Sequence, residues 1–144
     1  MAETLFSVVF LTAAPFWGLM ILFPGWKWTR RIVGSPLIAA PAAAIYAVLA
    51  IPRLAELWAP LASPSIGGIG ELLAQPTGTA LAWAHFIAFD LFAGRWMYLD
   101  SRERGVHGLL MAPILLLTIM FGPLGLLAYL AVRYLPFWKP RQVS

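Results

Sequence analysis

The run Ala84-His85-Phe86-Ile87-Ala88-Phe89-Asp90-Leu91-Phe92-Ala93-Gly94-Arg95-Trp96-Met97-Tyr98-Leu99-Asp100 decides how the rest of the chain is read. It is apolar over most of its length, carries His85, Asp90 and Arg95 inside it, and runs into the polar cluster Asp100-Ser101-Arg102-Glu103-Arg104. In water this would be an unusual helix. In a bilayer it is a span with ionisable groups in its interior, and such groups are functional-site candidates by default.

Composition supports the bilayer. Of 144 residues, 61% are hydrophobic and 11% charged, against about 25% charged in soluble domains, so there is too little polar surface to coat a water-soluble globule. An integral membrane protein is expected. The absence of cysteine excludes disulfides, thiolate nucleophiles and iron–sulfur ligation. The net charge of +4 is small and sits in short loops, which fits contact with lipid headgroups and not nucleic-acid binding. The N-terminus, Met1-Ala2-Glu3, lacks the positive opening of a secretory signal, so the first apolar run is expected to be kept as a span.

A membrane span needs roughly 20 apolar residues. Four segments approach this: Leu5 to Phe23, Pro36 to Ile51, Thr79 to Leu99, and Gly108 to Val132. The expectation is one domain over residues 1–144, an all-α four-helix membrane bundle whose helices are kinked by Pro15, Pro41, Pro113 and Pro123. The loops Lys27, Arg30, Arg31 and Arg102, Arg104 would then share one face, with Arg53, Arg133, Lys139 and Arg141 on the other. That division barely engages the positive-inside rule; the weight of the first helix favours the Lys27 and Arg102 loops inside.

Helical arithmetic divides the third span. From Thr79 to Leu99 it would cover about 31 Å, with Asp90 near mid-depth and His85 and Arg95 each about 7.5 Å away along the axis. Five residues turn the helix by roughly 140°, so Asp90 points away from both. One stripe reads Trp83, Phe86, Asp90, Gly94, Met97; the other reads His85, Ala88, Phe92, Arg95, Leu99, Arg102. Asp90 therefore needs a partner on another helix, a ligand or water, with Thr12, Trp17, Tyr46, Thr118, Tyr129 and Arg133 as protein candidates. A helix polar on both sides is expected to be the most enclosed of the four. Each polar residue also has a plainer reading. Asp90 could only lock the bundle, Arg95 could snorkel to the interface, His85 could be an interhelical hydrogen-bonding residue or an axial ligand of a pigment metal, and Asp100 to Arg104 could be a solvated turn whose charges pair weakly.

His85 with Asp90-Leu91-Phe92, Arg95, Tyr98 and Asp100 resembles the abscisic-acid-deficient-four family, whose plant members are plastid membrane proteins required for making neoxanthin. Pro15-Phe16, Leu19-Met20 and Pro24, the basic loop after them, and Gly122-Pro123-Leu124-Gly125 extend the resemblance over nearly the whole chain. The tryptophan-rich loop and the proline-rich second connection look more like the bacterial branch, which implies a bacterial inner membrane. In the plant reaction an epoxy end group of a carotenoid is isomerised to an allenic alcohol without redox change. The resemblance implies Asp90 as acid or base with His85 as its complement, Arg95 orienting a polar end group, and Trp83, Phe86, Phe92 and Tyr98 lining the substrate. No metal or cofactor is implied. The implied partners are membrane lipid and a carotenoid or similar isoprenoid. Two other functions stay open: a pigment-associated or assembly subunit of a larger membrane complex or homo-oligomer, and a small proton-coupled transporter. Four spans without an inverted repeat weigh against the transporter.

Overall fold

Pro76 opens the longest helix and Gly105 closes it, and the helices Ala2–Leu22, Ala40–Ala50, Ile66–Ala74 and Gly108–Arg133 all pack on this one. Proline at the first helical position has no N–H to leave unbonded. Gly105 takes the left-handed conformation (φ 76°), letting its N–H return to the Ser101 and Arg102 carbonyls. A computed structural model describes residues 1–136 and 138. Among these residues the regular structure is helical: α1 (Ala2–Leu22), α2 (Lys27–Val33), α3 (Ala40–Ala50), α4 (Leu54–Ala62), α5 (Ile66–Ala74), α6 (Pro76–Arg104) and α7 (Gly108–Arg133), with 3-10 turns at Pro36–Ala39 and Ile51–Arg53. Ala2–Leu22, Pro36–Ala62 and Gly108–Arg133 are long and apolar enough to cross a membrane. The 29-residue α6 is longer but more polar, because His85, Asp90 and Arg95 interrupt it.

α1 runs parallel to α6. Phe6 stacks on Trp83, Trp17 lies on Gly94, and Tyr98 donates a hydrogen bond to the Pro24 carbonyl. The stripe Val9, Ala13, Trp17, Met20, at helical spacing, is the buried face of α1. Between apolar helices in lipid the attraction is mainly van der Waals, so small residues mark the closest approaches. Gly94 is one of them, for a Cβ there would enter the Trp17 ring. After Pro24 the chain turns back through α2, and α3 runs antiparallel to α6, with Tyr46 beside His85. Leu49 and Ala50 of α3 pack in one cluster with Ala80 and Leu81. α4 and α5 then fold over that end of α6.

The fourth expected span, Gly108 to Val132, does not run straight. Phe121 leaves helical geometry (φ −142°, ψ 65°), dividing α7 into arms over 108–120 and 122–133. Pro123 removes the N–H that would bond the Ile119 carbonyl and its ring crowds that carbonyl. The second arm folds back on the first. Gly125 lies against the Thr118 backbone so closely that a Cβ would overlap it, although seven residues of straight helix would separate the two by about 10.5 Å. Contacts with α6 give the direction. Thr118 faces Met97, Gly122 reaches Asp90, and then Tyr129 returns to Trp96 and Asp100 while Arg133 bonds Asp100 at 2.8 Å. A straight helix from Gly122 would carry Arg133 about 16 Å beyond Asp90, away from Asp100. α7 is a helical hairpin that enters and leaves at one end of the molecule, and the four-span bundle is corrected accordingly. Pro15 and Pro113, by contrast, stay within helix.

The hairpin redistributes the charges. Arg133 joins Lys27, Arg30, Arg31, Arg102 and Arg104 at the Pro24 end, while Arg53 stands with Glu3, Glu56 and Glu71 at the Ala50 end. Lys139 and Arg141 lie outside the described residues.

Candidate functional site

Asp90 projects from the middle of α6 against Gly122, at the tip of the α7 hairpin. A Cβ on Gly122 would strike the Asp90 carboxylate, so glycine is what lets this backbone come so near. Among the described residues the carboxylate is half-buried and makes no hydrogen bond or ion pair. None of the protein partners considered for it takes that role. Thr12 donates to the Val9 carbonyl, Thr118 to the Ile114 carbonyl, and Tyr46 packs on His85. Tyr129 and Arg133 are bound elsewhere.

Their partner is Asp100. One carboxylate gathers the Tyr129 hydroxyl, Arg133 Nε at 2.8 Å, Arg133 Nη2 at 3.3 Å and Arg104 Nε at 3.0 Å. The Arg133 guanidinium also lies over Trp96, 5.6 Å from the ring centre. Asp100 is thus no member of a merely solvated turn. It pins the returning arm of α7 to α6, and so carries the bundle-locking role that was open for Asp90. No spacing rule could have found this network, because it exists only when α7 reverses.

His85 leaves α6 on the flank toward α3. Its ring meets Tyr46 edge-on at 5.9 Å between centroids and Phe89 at 5.0 Å. The other positions carried over from the family separate into two groups. Phe86 and Phe92 are exposed, at 55% and 47%, and with Phe89 and Trp96 they form an open aromatic stripe down α6. Trp83, Arg95 and Tyr98 are committed to the fold. Trp83 stacks on Phe6 at 5.3 Å, and Tyr98 is 1% exposed with its hydroxyl on the Pro24 carbonyl at 2.7 Å. Arg95 donates from Nε to the Val33 carbonyl at 2.8 Å and from Nη2 to that of Gly34 at 2.6 Å, tying down the end of α2. α6 is, as expected, the most enclosed of the long helices, with 11 of its 29 residues buried against 4 of 21 in α1 and 6 of 26 in α7. It touches α1, α3, α5 and α7, yet leaves the stripe open between the His85 flank and the Asp90 flank. The roughly 140° between those two residues is occupied by this open aromatic face.

These features define a class of apolar, all-helical proteins with helices long enough to cross a membrane and an unbonded carboxylate on the central helix. Comparison with known proteins supplies the family. The profile described as ABA DEFICIENT 4-like matches residues 4–129, and the chain belongs to that family. Protein ABA DEFICIENT 4, chloroplastic, from Arabidopsis thaliana is 26% identical over 92% of this chain, which spans 61% of that relative's length. No solved structure matches the chain.

Proposed function

We propose that the chain sits in a membrane, binds a carotenoid or similar long isoprenoid along the open aromatic face of α6, and isomerises it by acid/base chemistry with Asp90 as the proton-transferring group. The observation that carries this reading is the carboxylate itself. It stands near mid-depth of the longest helix, against the hairpin tip, without a hydrogen-bonding partner. A polar group so placed in lipid is costly, and a purely structural role would supply it with a partner, as Asp100 is supplied.

The family resemblance supplies the reaction class. Converting an epoxy end group to an allenic alcohol breaks one C–H bond of the polyene and one C–O bond of the epoxide, and forms one O–H bond and the additional C=C bond of the allene, with no net change in composition or oxidation state. One group takes the carbon-bound proton and another delivers a proton to the opening oxygen. Asp90 and His85 border the same aromatic stripe from opposite flanks, so a polyene lying on Phe86 and Phe89 passes between them. General acid–base groups placed in this way contribute about 10²–10⁴-fold each. The chloroplast is stated for the Arabidopsis relative only. With six basic side chains at the Pro24 end and Arg53 alone opposite, among the described residues, the positive-inside rule places the Pro24 end inside.

Pigment analysis of cells expressing the chain, the Asp90→Asn variant, or neither tests the reading. The expected result is a carotenoid isomer present with the wild type and reduced at least 100-fold with Asp90→Asn, in keeping with the lower end of the range for one acid/base group. An identical pigment profile in all three cultures sinks the enzymatic reading. Pigment that co-purifies with the chain but is never converted supports binding without catalysis.

A further inference from the structure

At the Pro24 end, the turn that follows α1 and the turn that precedes α7 border a recess of about 430 Å³. Leu22, Leu109 and Ala112 supply apolar walls, and Arg102 and His107 supply polar ones. The Arg102 guanidinium stands beside Gly25, where a Cβ would lie 4.0 Å from its Nη2. His107 Nδ1 accepts the Leu109 N–H at 3.1 Å, so the neutral ring carries its proton on Nε2, as a donor. α1 ends and α7 begins here, which puts the recess at the level where apolar helices meet lipid headgroups.

The walls select the occupant. Leu22 and Leu109 are 71% and 79% exposed, and acyl chains lying over them would cover both. A guanidinium meets a phosphate through two parallel N–H···O bonds, and its five donors can serve a phosphate together with an acceptor in the protein. Pockets for small molecules measure about 300–1,000 Å³, so the recess takes the head of a lipid while its chains run outside, along α1 and the first arm of α7. Charge narrows the head further. Lys27, Arg30, Arg31, Arg104 and Arg133 share this end with Arg102, against Asp100 and Glu103, and Asp100 is held by Arg104 and Arg133. That positive surplus attracts a head of net negative charge and repels the ammonium of a zwitterionic one.

We infer that this recess binds the phosphate of an anionic phospholipid between Arg102 and His107, with the acyl chains over Leu22 and Leu109. The inference rests on the membrane setting of the reading above and not on its isomerisation chemistry.

The test titrates the full chain in detergent with phosphatidylglycerol, phosphatidylcholine and inorganic phosphate, and counts bound molecules by native mass spectrometry. Phosphatidylglycerol is expected to bind about tenfold more tightly than phosphatidylcholine, and Arg102→Gln to abolish that preference, as for hydrogen bonds to a charged group. His107→Asn keeps an acceptor for the Leu109 N–H, so α7 stays capped, and weakens phosphatidylglycerol about fivefold through the lost Nε2 donor. Arg31→Gln removes the same charge from outside the recess and leaves the preference in place. Excess inorganic phosphate does not displace the bound lipid. Equal affinities for the two lipids overturn the inference, as does a preference that Arg102→Gln and Arg31→Gln lower alike, which assigns it to the diffuse charge of this end. Displacement by inorganic phosphate overturns the lipid as the source of the phosphate. No pigment enters the readout, so failure here leaves the role of Asp90 standing, and a missing isomerisation leaves the lipid site standing.

Discussion

If α7 is a hairpin, its two ends must lie side by side, and the chain offers a direct ruler. It has no cysteine, so a pair introduced at Leu109→Cys and Tyr134→Cys carries the only two labels. Both positions are exposed, at 79% and 73%, and neither sits in the core. In a straight helix the 25-residue step between them would separate them by about 38 Å along the axis. In the hairpin, the Arg133 to Asp100 bonds and the Gly125 to Thr118 approach hold the arms at ordinary helix-packing separation, about 8–10 Å between axes. Allowing for label length, pulsed EPR distances in lipid vesicles should centre at roughly 10–25 Å. The same logic applies to sidedness. Single cysteines at Tyr134 and Trp26 should react from one side of sealed vesicles, and a cysteine at Ile66, on α5 at the other end, from the opposite side. A distance near 38 Å, or Tyr134→Cys labelling together with Ile66→Cys, would refute the hairpin.

Two further expectations follow from contacts that hold this arrangement. Asp100→Ala leaves Tyr129 and Arg133 without their shared acceptor. Losing a part-buried carboxylate that accepts from a hydroxyl and two guanidinium groups costs about 1.5–3 kcal/mol, and thermal melting in detergent should drop by roughly 3–12 °C at 2–4 °C per kcal/mol. An unchanged melting temperature would show that the second arm is held by packing alone. Gly94→Ala should destabilise by about 1–3 kcal/mol through overpacking on Trp17, and Trp17→Leu in the same chain should recover part of the loss. A double variant no more stable than Gly94→Ala would argue against that contact.

Much of the helical architecture was legible in the chain itself. Composition and apolar run length indicate membrane-type helices, and α1 and α6 occupy nearly the stretches that their hydrophobic runs mark out. The second run is longer than its uninterrupted apolar core suggests, because α4 continues it past Pro52 as far as Ala62. At α7 the apolar run misleads. Length and hydropathy are the same for a straight span and a folded-back one, and Gly122-Pro123 followed by Gly125 was the signal of a break. That signal only becomes a reversal once Thr118 and Asp90 are in place to receive the glycines.

The site divides in the same way. By itself the sequence determined that α6 carries ionisable groups in an apolar setting, and that Asp90 and His85 leave it in directions about 140° apart. This follows from residue spacing and the 3.6-residue turn. Tertiary structure alone decided which of the polar residues are already partnered. Asp100 collects Tyr129 and Arg133, Arg95 holds the Val33 and Gly34 carbonyls, Tyr98 holds Pro24, and Asp90 remains unbonded against Gly122. A hydrogen bond between side chains distant in sequence depends on where the chain returns, and that return is fixed by one non-helical residue, Phe121, in the middle of an apolar run.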